Sequence, residues 1–171
     1  MRKLTMVLAL ATAGAFVISG SVVAFANAPA DDPSTSLVED YSYPGAAQVE
    51  ATRGIKLIKG DGHIMLADCG SDPNLPPVNL ILVQTSRLGS PDETNHCFKA
   101  TGARGFLTME VDDVYFIRGE QDRTVAAKVE VQEATPVTET ERVDPGEWQP
   151  IGIGQGRSAA TLLELRFPFT S

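Results

Sequence analysis

The sequence predicts an all-β fold, an antiparallel β-sandwich of about nine strands closed by one disulfide, and three observations predict it. Short runs alternate apolar with polar residues, most cleanly where Val125, Ala127, Val129 and Val131 face one way and Lys128 and Glu130 the other, the period of a half-buried antiparallel strand. Turn residues recur about every ten positions, a spacing typical of sandwiches and compact barrels. Two cysteines, Cys69 and Cys97, occur in a chain that reads as exported, and an even count in an oxidising compartment is expected to pair. One-sided strands that need a partner sheet favour the sandwich over the barrel.

The N-terminus carries the export signal. Met1-Arg2-Lys3 is a basic start, and the chain then runs apolar from Leu4 to Phe25, broken only by Thr, Ser and Gly. Ala28-Pro29-Ala30 supplies the small residues of a cleavage site directly before Asp31-Asp32. Cutting after Ala28 would leave Pro29 beside the cut, and cutting after Ala26 would leave a less favourable end, so Ala30 is the expected boundary. The alternative is an uncleaved anchor, because a stretch of about 20 apolar residues can span a bilayer. The expected division is residues 1–30 signal peptide, 31–45 flexible leader and 46–171 a single β-sandwich domain. The location is then extracellular, without membrane association after signal cleavage.

The strands follow in order. Ile55–Lys59 and His63–Asp68 flank Gly60-Asp61-Gly62, whose Asp-Gly step suits a hairpin. Leu80–Val83 is apolar without alternation, as in a strand at the centre of a sheet. Cys97–Ala100 begins the next strand, Thr101–Gly105 turns the chain, and Leu107, Met109 and Val111 share one face. Val114–Arg118 follows almost at once. Val125–Val131 is the alternating strand already noted, and Thr138–Val143 is polar enough to be an exposed edge. Trp148–Ile151 is a short extended piece, and Thr161–Phe167 places Leu163, Leu165 and Phe167 together. No helix of credible length is expected after the signal.

Gly54-Ile55-Lys56-Leu57-Ile58-Lys59-Gly60-Asp61-Gly62-His63, Gly105-Phe106-Leu107-Thr108 and Thr161-Leu162-Leu163-Glu164-Leu165 resemble segments of small secreted actinobacterial proteins of unassigned function. The resemblance implies an exported β-rich domain and no particular activity.

Charge narrows the partners. The chain is −8 at neutral pH, and loss of Arg2 and Lys3 with the signal makes the mature protein about −10, which repels phosphate backbones and anionic headgroups. No nucleic-acid partner is expected; an extracellular protein or a glycan is. Glu110, Asp112 and Asp113 are the calcium candidates, but they lack the glycine and the bidentate glutamate of an EF-hand loop. With Glu120 and Asp122 they could instead serve a small hydrolase, for which through-space separation is the criterion. His63 and His96 have no third ligand beside them. Gly152–Ser158 lacks the Gly-Lys-Ser/Thr of a phosphate loop and is expected to be a hairpin loop.

No cofactor is expected. Most of the nine aromatic residues outside the signal should go to the core, leaving Trp148 as a candidate ligand contact. Arg87, in the polar loop Ser86–Asn95, is the other, since a disulfide-held loop could enter a protease cleft. The expected function is thus a non-enzymatic extracellular binding module, with the hydrolase and the loop-presenting protease inhibitor as alternatives.

Overall fold

A computed structural model of the protein describes residues 41–72, 77–86 and 94–169. The expected signal peptide, the expected leader up to residue 40 and Arg87 lie outside these residues. Ten strands form two antiparallel five-stranded sheets: β1 (Lys56–Gly60), β2 (Ile64–Ala67), β3 (Ile81–Thr85), β4 (Asn95–Ala100), β5 (Gly105–Val111), β6 (Val114–Arg118), β7 (Val125–Val131), β8 (Val137–Val143), β9 (Trp148–Pro150) and β10 (Ala160–Phe167). The first sheet has the order β1-β5-β10-β7-β8 and the second β2-β4-β3-β6-β9.

The core between the sheets follows the alternation in the sequence. Leu107, Met109 and Val111 from β5 meet Val125, Ala127, Val129 and Val131 from β7, and Ile81, Val83, Phe98 and Ile117 close it from the second sheet. As expected, β3 sits at the centre of its sheet with Ile81, Leu82 and Val83 all buried, and β8 is an edge with mostly exposed side chains. One face was misplaced. β10 carries a register shift between Leu162 and Glu164, so Leu162, Leu165 and Phe167 enter the core while Leu163 is only half-buried. A bulge adds one residue and resets the alternation, which periodicity alone does not reveal.

The expected hairpin at Asp61-Gly62 is a crossing between the sheets, and so is the Asp112-Asp113 connection. β1 pairs with β5 and β2 with β4, and β5 and β6 likewise lie in different sheets. The Gly152–Ser158 stretch is also not a hairpin loop. It contains a 3₁₀ turn, Gly152–Gln155, and carries the chain from β9 to β10 on the opposite sheet. Gly154 packs so tightly on β6 that an added Cβ would collide with the Tyr115 carbonyl oxygen.

The domain starts earlier than the composition suggests. A helix, α1 (Ala46–Arg53), runs between Gly45 and Gly54, both left-handed, with φ of 73° and 64°; glycine adopts that conformation without a Cβ clash. None of its residues is buried, so it leaves no apolar period to read. Before it, Ser42 bridges Lys59, and Gly60 N donates to Tyr41 O at 2.9 Å. Buried Tyr43 spans the open side of the sandwich: its N donates to Ile58 O beside the first sheet, and its hydroxyl accepts from Leu66 N of the second at 3.0 Å.

The disulfide joins Cys69 to Cys97 with a Cα–Cα distance of 5.2 Å. Cys97 points away from the main core, while His96 beside it is buried on the inner side, as neighbours on a strand must be. Cys69, Cys97, Leu80 and Leu82 therefore form a second small cluster on the outer face of the second sheet.

Candidate functional site

The site with the clearest chemistry is the other half of that outer face. Two rows of side chains cross it. Register places Cys97, Leu82, Arg118 and Trp148 side by side, and beyond them Asn95, Gln84, Phe116 and Pro150. Over β4 and β3 the row of Cys97 and Leu82 is covered by Cys69 and Leu80, while Asn95 and Gln84 in the next row stay half-buried. Arg118 marks the boundary: its Nη2 donates to Pro77 O at 2.8 Å. Burial lowers the Arg118 pKa from its ordinary value.

Over β6 and β9 the face is open. Trp148, on edge strand β9, is 46 % exposed. Phe116 meets it edge-on with ring centroids 6.1 Å apart, and Tyr115 meets Phe116 at 5.1 Å. The Arg118 guanidinium lies 5.7 Å from the Trp148 ring centre. Aromatic rings favour such tilted contacts, and a guanidinium is drawn to the negative face of an indole. In the same row as Phe116, Gln84 Nε2 donates to Asn95 Oδ1 at 3.1 Å, which orients the two amides and leaves hydrogen-bonding capacity for another molecule. The arrangement offers flat apolar surface flanked by amide and guanidinium groups.

The neighbouring edge is stitched to the first sheet. Gln149 Nε2 and Gln155 Nε2 both donate to Glu141, at 2.9 and 3.1 Å, and Arg157 bridges Glu133 and Glu139. These contacts hold β9, and so Trp148, against β8.

Of the contact candidates read from the sequence, Trp148 is accessible and Arg87 lies outside the described residues. The acidic candidates fall before and after β6, with Glu110 and Asp112 both acting on Lys56. Glu110 binds Lys56 Nζ at 2.6 Å on the first sheet, while Asp112 accepts from Thr161 Oγ1 at 2.9 Å. Asp113 takes the left-handed turn position with φ of 58°. Glu120 and Asp122 lie beyond β6, a strand length from that turn. Glu120 is 2 % exposed, accepts from Arg123 Nη1 at 2.9 Å, and also accepts from Asp122 N. Among the described residues no group of three or more His, Cys, Asp or Glu side chains could hold a metal.

Sequence reading missed Tyr115, Phe116, Arg118, Gln84 and Asn95, because cross-strand register is what assembles them. It also assigned most aromatics to the core, whereas of the nine only Tyr43, Phe98 and Phe167 are buried. Aliphatic side chains fill most of the interior, and Phe106 and Phe116 fall on outward positions. Among the described residues no helix is long and apolar enough to cross a membrane. Comparison with protein families and with curated proteins finds no family model and no curated protein that matches the chain.

Proposed function

We propose that this protein is a secreted, non-enzymatic binding module that holds a glycan against the open half of the outer face of its second sheet. The observation that carries the reading is Trp148, a large aromatic surface left 46 % exposed at the end of an apolar row otherwise covered by a disulfide-tethered segment. Exposed apolar surface of this kind is where partners bind. Sugar rings have an apolar C–H face that stacks on an indole, and their hydroxyls suit the Gln84–Asn95 amides and Arg118. Export is supported by the basic and apolar start of the chain and by the disulfide. The dispersal of Glu110, Asp112, Asp113, Glu120 and Asp122 favours binding over hydrolysis.

Trp148 is the chain's single tryptophan, so its fluorescence reports on this face without interference. Titration with cellohexaose, chitohexaose and mannohexaose is expected to quench or shift the emission for at least one of them, with binding of that sugar, followed by calorimetry, lost in Trp148→Ala. Unchanged emission with all three, or measured release of reducing ends, overturns the proposal.

A further inference from the structure

At the end of the first sheet, where β10 finishes, two open grooves of about 580 and 350 Å³ share Ala103, Phe167 and Pro168 as a common wall. Arginines surround both. Arg104 and Arg166 line the first, with Tyr41 and Phe106; Arg123 and Arg142 line the second. Three of the four stack on phenylalanines: Arg166 on Phe106 at 5.1 Å, Arg123 on Phe167 at 5.3 Å and Arg142 on Phe169 at 5.3 Å. Strand register explains part of this, since Phe106, Arg166, Ala126 and Arg142 occupy one outward row, with the small Ala126 between the two arginines.

Acids accompany them: Asp61 lines the first groove and Asp122 the second, while Glu164, Glu120 and Asp144 pair with Arg166, Arg123 and Arg142. Arg166 donates through Nε and Nη2 to Glu164 at 2.8 and 3.1 Å, a bond that raises its pKa from the ordinary value. Arg123 donates through Nη1 to Glu120 and through Nε to Gly102 O, and Arg142 through Nε to Asp144 at 2.9 Å. A guanidinium has five N–H donors, so each retains donors for a ligand. Asp61, in the wall of the first groove, accepts with Oδ1 from His63 N and Phe106 N and with Oδ2 lies 3.5 Å from His63 Nδ1. Arg104 is exposed and makes no hydrogen bond or ion pair among the described residues.

We propose that the joined grooves bind an extended peptide in which acidic and apolar side chains alternate, at a site separate from the Trp148 face. Alternate side chains of an extended peptide point to opposite sides. Apolar ones can then rest on Phe167, Pro168 and Ala103 while carboxylates meet the arginine donors at the rim. The shared wall is apolar, and in the second groove the Thr124 hydroxyl already donates to Asp144, which favours a peptide with apolar side chains over an acidic glycan. Arginine clusters are a recurring means of recognising acidic peptides.

The test uses an octapeptide of alternating aspartate and leucine, its asparagine counterpart and hexagalacturonate, followed by calorimetry and by amide shifts in the full protein. The aspartate peptide is expected to bind, to shift the Gly105, Phe106 and Arg123 amides, and to weaken as salt rises. Binding should fall about tenfold with the asparagine peptide and in Arg104→Glu, as expected for loss of a charge complement, and should persist in Trp148→Ala. Arg104 has no contact whose loss would unfold the domain, and a retained amide spectrum checks this. Equal binding of the two peptides, insensitivity to Arg104→Glu, preference for hexagalacturonate, shifts confined to the Trp148 face, or no binding at about 1 mM, a very weak affinity, each overturns the proposal.

Discussion

The two sheets turn different outer faces to water. On the first, rows such as Thr108, Glu164, Lys128 and Thr140 are polar across the sheet, so that face is stable in solvent without cover. On the second, the corresponding rows carry Leu82, Cys97, Phe116 and Trp148. A disulfide-tethered segment covers the half over β3 and β4 and leaves the half over β6 and β9 open. Apolar surface that the fold itself does not cover is available to a ligand, and here it lies beside the segment that covers the rest.

The largest test of this contrast is to remove the tether. Replacing both Cys69 and Cys97 by Ala should cost about 3.5 kcal/mol on the loop-closure model, read as a lower urea midpoint, and should increase binding of a hydrophobic dye as Leu82 is uncovered. Unchanged stability and dye binding would mean that the covering segment holds without the bond. Leu82→Ala should cost about 2–4 kcal/mol, the usual range for a fully buried leucine, even though Leu82 faces away from the main core. A cost typical of a surface site would place the covered half on a par with the open one.

Trp148→Ala belongs to the open half and should change stability by less than about 1 kcal/mol while removing glycan binding; a much larger loss would make Trp148 a structural plug. Smallest is the pair on the first sheet's outer side. The hydrogen bond and charge of Glu110 raise the Lys56 pKa above its ordinary 10.5. A raised folded value means that the pair's contribution is complete below the unfolded value and is lost as pH rises through the folded one. The slight difference in Tm between the protein and Lys56→Met should hold across neutral pH and shrink in strong alkali; a difference that grows there contradicts the assignment.

Much of the fold was legible because a strand with one buried face must alternate, and each predicted strand has its counterpart in the sheets. The limits are equally physical. Helix α1 buries no residue, so it has no period to detect, and Tyr43 looked like part of a polar leader although its hydroxyl reaches Leu66 N. Turn chemistry located the connection at Asp61-Gly62 but could not tell a hairpin from a crossing, because the next strand's pairing partner is distant in sequence. The same limit hid the candidate site. Trp148 drew notice as an aromatic not assigned to the core, but its neighbours come from β3, β4 and β6, and only register unites them.

The position of β10 also governs when this protein can fold. It lies between β5 and β7 in the first sheet, so until residues 160–167 are available both neighbours lack a partner on that side and the sheet is divided. Pairings between distant segments form slowly because a long loop must close first. A chain from which residues 160–167 are withheld therefore lacks the central strand of the first sheet. Deleting residues 160–167 would damage the middle of that sheet rather than its margin.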